Sequence, residues 1–114
     1  MIKNIYETTP EIIENIHNGT GIAKVANILT GINTPLEFLH YTTLAPGASI
    51  GNHTHGNDNE FYIVLKGVGE MTLDGVPSQV KPGDVIVNQP HGTHGLKNLS
   101  TTEEMALLVF EVKI

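Results

Sequence analysis

The chain has 114 residues, a length that suits one small domain built around a single core. Its formal net charge is −6, and its six Lys and Arg residues are scattered singly, which excludes the basic clusters that nucleic-acid backbones and anionic membranes require. With no cysteine, both disulfide frameworks and thiolate metal sites are excluded.

No stretch approaches the ~18–20 apolar residues of a membrane span. The N-terminus, M-I-K-N-I-Y-E-T-T-P, lacks the basic-then-apolar layout of a signal peptide, so a cytoplasmic protein is expected. Twelve glycines and six prolines fall mostly between short β-branched runs, which predicts many tight turns and an all-β chain.

Near the start, Thr8 or Thr9 followed by Pro10 and Glu11 reads as a helix start, and Ile12, Ile13 and Ile16 give it an apolar stripe. The spacing predicts a short helix over Pro10–His17, stopped by Asn18-Gly19, with His17 favouring the helix dipole. Ile22 to Leu29 is ambiguous between strand and helix; its flanking glycines favour strand. Leu36 to Leu44 predicts a strand with Phe38, His40 and Thr42 on one face, though alternation alone does not say which face is inward.

Further strands are predicted over Ser49–His55, Glu60–Lys66 and Val68–Leu73. Asp74-Gly75 is a strong hairpin signal, so Val76–Val80 returns beside its predecessor. Beyond the Lys81–Asp84 turn come the short runs Val85–Val87 and Leu96–Asn98, a polar loop, and a long closing strand over Met105–Ile114. Strands every eight to twelve residues predict an antiparallel sandwich or barrel, and the barrel offers a mouth where inward side chains meet.

The stretch from Gly47 to Gly67 carries His53, His55 and Glu60. Two residues apart on an extended chain, the two imidazoles leave one face with Cα atoms roughly 6–7 Å apart. From there they can converge on one metal at bonds of about 2.0–2.2 Å. The run G-N-D-N before Glu60 can reverse the chain and return a carboxylate beside the rings. A distant fourth ligand is needed, and His94 is the best candidate, since an antiparallel barrel can bring its strand back beside the pair. Three imidazoles and a carboxylate suit one divalent transition metal of the Mn, Fe, Co, Ni or Zn type.

With these residues in place, the chain resembles the cupin superfamily of small β-barrels. Gly47, His53, His55, Glu60 and Gly67 match every fixed position of the first cupin motif, and Gly83, His94 and Asn98 keep the spacing of the second. The second motif's proline and glycine are expected at Gln89 and His91, whereas the chain has Pro90 and Gly92, each one place late. The resemblance implies an all-β, double-stranded β-helix (jelly roll) with metal ligands His53, His55, Glu60 and His94. It also implies one domain over 1–114, with an N-terminal extension over 1–35 and a barrel core over 36–114, and a homodimer.

Tyr62, two residues beyond Glu60, is a candidate hydrogen-bond donor or general acid, with an ordinary barrel-lining role as the plainer reading. His91 is a candidate gate or proton shuttle beside a solvated-loop reading. No cationic clamp for a carboxylate is evident. The expected function is a metal-dependent enzyme of dioxygenase, decarboxylase, isomerase or lyase type acting on a small polar metabolite. The alternative is a module that binds or senses a small ligand without turning it over. Neither nucleic acid nor membrane is expected as a partner.

Overall fold

The computed structural model describes every residue from Met1 to Ile114. Its ten strands are β1 (Glu11–Glu14), β2 (Ile22–Asn27), β3 (Leu36–Leu44), β4 (Ser49–Thr54), β5 (Asp58–Lys66), β6 (Gly69–Leu73), β7 (Val76–Val80), β8 (Val85–Asn88), β9 (Thr93–Asn98) and β10 (Met105–Lys113). They form two antiparallel sheets in the orders β1-β2-β3-β10-β5-β8 and β4-β9-β6-β7, which is the jelly roll that the motifs imply.

The inner faces of the sheets meet on Leu44, Met71, Leu96, Met105 and Leu107, all at most 2% exposed. Each such side chain stabilises the fold by about 1.5–3 kcal/mol on leaving water. On β5 the strand alternation turns Glu60, Tyr62 and Val64 inward, and all three are buried. Asp74 and Gly75 both have positive φ (48° and 83°), the geometry of a two-residue hairpin turn, and Leu73 pairs with Val76 across it.

The helix expected over Pro10–His17 does not form. Glu11–Glu14 pair with β2, in the register Ile13↔Ala23 and Glu14↔Ile22, and the chain then makes a single 3₁₀ turn over Ile16–Asn18. Two helical turns of β-branched isoleucine are marginal alone. The edge of β2, by contrast, offers a ladder of backbone hydrogen bonds. Ile13 and Ile16 still turn inward, while Ile12 is left exposed.

The turn after β1 is strained and tightly docked. Asn15, His17 and Asn18 have φ of 51°, 51° and 60°, each costing about 1–2 kcal/mol relative to right-handed backbone. The surroundings hold them there. Thr20 receives the Ser49 N–H at 2.7 Å and donates its own N–H to Ser49 Oγ at 3.0 Å. A Cβ on Gly51 would overlap the His17 carbonyl oxygen, and one on Gly19 would overlap that of Ser49. Only glycine at both positions lets this strap lie on β4, and it sets His17 against His53.

Candidate metal centre and its cavity

β4 and β9 pair in the register His53↔His94, so these two rings leave neighbouring strands at one level. His55 follows just past the end of β4, and Glu60 comes from the inner face of β5 in the opposite sheet. His94 Nε2 lies 3.1 Å from His53 Nε2, 3.1 Å from His55 Nε2 and 2.9 Å from Glu60 Oε1. His55 Nε2 is 3.2 Å from the same oxygen. All four sequence-predicted ligand residues therefore converge, with donor atoms within 4.8 Å of one another.

The far nitrogens set which atoms carry hydrogen. His53 Nδ1 approaches the Gly51 carbonyl at 2.7 Å. A carbonyl only accepts, so Nδ1–H donates and Nε2 turns a lone pair inward. His55 Nδ1 sits between Asp58 Oδ1 at 3.0 Å and Glu111 Oε1 at 3.1 Å, and the same argument applies. Even at 2.9 Å from an imidazole, Glu60 Oε1 is buried without a well-directed hydrogen bond, and so is His94 Nδ1. Lone pairs thus crowd a water-poor point, which is where a cation is favoured.

The spacing fits a metal. Two bonds of about 2.1 Å at right angles place donor atoms about 3 Å apart, close to the observed separations. The residues present therefore form a group able to hold a metal ion. Burial, opposed by the Gly51 hydrogen bond and reinforced by the neighbouring imidazoles, lowers the His53 pKa to about 4, so this ring is a neutral ligand at physiological pH.

Three neighbours complete the setting. Glu111 on β10 pairs with Glu60; burial raises its carboxyl above the usual range, as do the charges of Asp58 and Glu60, against the pull of His55. The Tyr62 ring lies 5.0 Å from that of His94. Burial first, then the Glu60 charge, pushes its hydroxyl well above the ordinary value, so it stays protonated. His17 stacks on His53 with centroids 3.7 Å apart and planes 11° from parallel, not at the end of a helix. Neither Glu111 nor His17 was expected at this site from the sequence. Glu111 did leave a trace, an acid in phase with Leu107 and Val109 on the closing strand.

The centre opens into a cavity of about 300 Å³. His17, His40, Thr42, Tyr62 and Glu111 supply its polar wall beside the ligands, and Ile13, Ile16, Val25, Phe38 and Val109 supply much of the rest. His40 thus belongs to the cavity; it stacks on Phe38 with centroids 4.2 Å apart, and burial lowers its pKa. His91 does not line it. That residue is exposed at a turn with φ 63°, its N–H donating to the Gly56 carbonyl at 2.8 Å. The shifted Pro90 and Gly92 belong to this turn, which Asn88 Nδ2 braces on the Gly92 carbonyl at 3.4 Å. Asn98 is structural: its buried Nδ2 reaches the carbonyls of Leu44, Ala45 and Glu103 at 2.9–3.2 Å.

A two-sheet jelly roll with three imidazoles and a carboxylate gathered at its mouth is the architecture of the cupins. The family profile of the cupin domain matches residues 40–111, and the chain belongs to that family. It is 30% identical over 105 residues to the oxalate-binding protein of Thermotoga maritima, covering 90% of this chain and 87% of that one. The crystal structure of a predicted oxalate decarboxylase from Thermotoga maritima superposes with a TM-score of 0.94 at 27% identity, over 100% of both chains. An RmlC-like cupin from Shewanella frigidimarina superposes with a TM-score of 0.76 at 20% identity, over 98% of this chain and 88% of that one.

Proposed function

We propose that the chain binds one divalent transition metal through His53, His55, Glu60 and His94, and that it holds a small acid on the metal's cavity side. The observation that carries this reading is the convergence of three Nε2 atoms and Glu60 Oε1 at about 3 Å spacings, with His53, His55 and Glu60 lining a cavity. When bound, the metal would supply Lewis acidity and open coordination positions for ligand oxygens. The 30%-identical relative named for oxalate binding supports a small acid as the ligand.

The protein's own groups prepare the site. Asp58 and Glu111 hold His55 in one tautomer; the Gly51 carbonyl does the same for His53, and His17 stacks on that ring. Tyr62, protonated throughout the physiological range, acts as a donor beside Glu60 and not as a base. Turnover of the ligand is favoured by Glu111, a carboxyl lining the cavity with a raised pKa and able to hold a proton there. Binding without turnover is the second reading, favoured by the relative's name.

The test is to reload chelated protein with Mn²⁺, Co²⁺ or Zn²⁺, add oxalate, and follow heat of binding together with product and oxygen uptake. Heat without product assigns the binding module, product assigns the enzyme, and failure to take up metal refutes both.

The reading extends to a homodimer formed through the outer face of the larger sheet. There the outward positions Phe61, Ile63, Val85, Val87, Leu108 and Phe110 lie side by side. Outward positions on a solvated sheet are ordinarily polar. Sedimentation of the purified chain distinguishes dimer from monomer.

A further inference from the structure

The cavity wall changes character with distance from the four ligand atoms. Across the inner face of the larger sheet, β5, β10 and β3 align Glu60, Glu111 and Phe38 in one row. Tyr62, Val109 and His40 make the next, and Val64, Leu107, Thr42 and, on β2, Val25 make the third. At about 4.8 Å per strand, Phe38 stands ~10 Å and Val25 ~14 Å from the strand that carries Glu60. Strand β1 and the strap add Ile13 and Ile16 to the apolar lining. The wall is therefore polar at the metal end, where His17 stacks on His53, and mostly hydrocarbon beyond it, with His40 and Thr42 as its polar exceptions.

Charge and size narrow what fits. The chain contains no arginine, and none of its six lysines lines the cavity. A divalent metal with the Glu60 carboxylate leaves one positive charge, enough for one ligand carboxylate. A second carboxylate at the far end, or a phosphate, would be desolvated against Phe38 and Val25 without a cation. At ~30 Å³ per water-sized group, the ~300 Å³ cavity has room for about ten. Oxalate, with six non-hydrogen atoms, would sit at the metal and leave the hydrocarbon end unfilled.

We infer that the cavity is built for a monocarboxylic acid with an oxo or hydroxyl oxygen on the adjacent carbon and an apolar body of about three to five carbons. The paired oxygens face the metal, and the body lies on Val25, Phe38, Val109, Ile13 and Ile16. This deepens the proposed function and rests on it, since the acid head needs the metal.

The test is calorimetric titration of the Mn²⁺- or Co²⁺-loaded protein with oxalate, pyruvate, 2-oxobutanoate, 3-methyl-2-oxobutanoate and 4-methyl-2-oxopentanoate. The expected result is a Kd that falls up to about fourfold per added carbon, with the longest acids bound more tightly than oxalate. In Val25→Thr, which keeps the side-chain shape, the gain per added carbon shrinks; Ile13→Thr repeats the test on β1, and metal-bound melting confirms that each variant folds. Affinity that is flat along the series, or tightest for oxalate, overturns the inference and spares the metal site. If metal loads but no acid binds, oxalate included, both the inference and the small-acid reading fall. If no metal loads, the proposed function fails as a whole.

Discussion

Replacing His94 with leucine separates the metal from the fold. His94 is 1% exposed, its Nδ1 has no partner, and its Nε2 is crowded by two other imidazole nitrogens and a carboxylate oxygen. Such a ring belongs to a group able to hold an ion. In metal-free protein, His94→Leu relieves the desolvation cost of an unpaired buried polar group, about 1–3 kcal/mol. It loses the tilted contact with Tyr62, worth about 0.5–1.5 kcal/mol, and brings a shape mismatch of under about 1.5 kcal/mol. The midpoints nearly cancel, and the net change lies within about 2.5 kcal/mol of zero.

With metal the variant parts from the parent. An ion at a hundred times its Kd stabilises the parent by about 2.7 kcal/mol, or about 10 °C for a chain of this size, and the variant should lose most of that rise. Calorimetric melting with EDTA and then with excess Mn²⁺ or Zn²⁺ measures both quantities. A variant that melts far below the parent in EDTA, or that keeps the full metal-induced rise, would show that His94 serves the fold and not an ion.

The remaining predictions are narrower. Glu111→Gln should weaken metal affinity by about 10–100-fold by loosening the acceptor pair on His55 Nδ1; chelator competition measures it, and an unchanged Kd contradicts the role. Asn98→Ala should cost about 2–4 kcal/mol by stranding three carbonyls, with no loss of metal affinity once folded; urea denaturation gives the first value and dialysis the second. For pH, His53 has a folded pKa of about 4 against an ordinary 6.5, so across that window the unfolded chain binds more protons. Stability of the chelated protein should therefore be full above pH 6.5 and fall towards pH 4. His17 and His40, also lowered by burial, act in the same sense, and the raised Glu111 opposes them only just above the usual carboxylate range. A urea midpoint equal at pH 7 and 4.5 would contradict this.

The legible parts of this chain were those whose spacing carries geometry. The interval between His53 and His55 is a strand period, Asp74-Gly75 admits few conformations besides a hairpin, and alternation on β5 placed Glu60, Tyr62 and Val64 together. The illegible parts depend on contacts between distant segments. Ile12, Ile13 and Ile16 suit a helical stripe as well as a strand, and the free edge of β2 decided between them. His17 reaches His53 only because Asn15 and Asn18 accept left-handed backbone and Gly19 and Gly51 permit the strap to dock. His91 shares a segment with His94, but the turn it occupies sends it to solvent.

The proposed function stands on metal binding by His53, His55, Glu60 and His94. Equilibrium dialysis of EDTA-stripped protein against Mn²⁺, Co²⁺ or Zn²⁺, followed by elemental analysis, tests it most directly. The parent should retain one ion per chain and the combined His53→Ala, Glu60→Ala variant none. A parent that retains no ion, or a variant that retains a full equivalent, would contradict it.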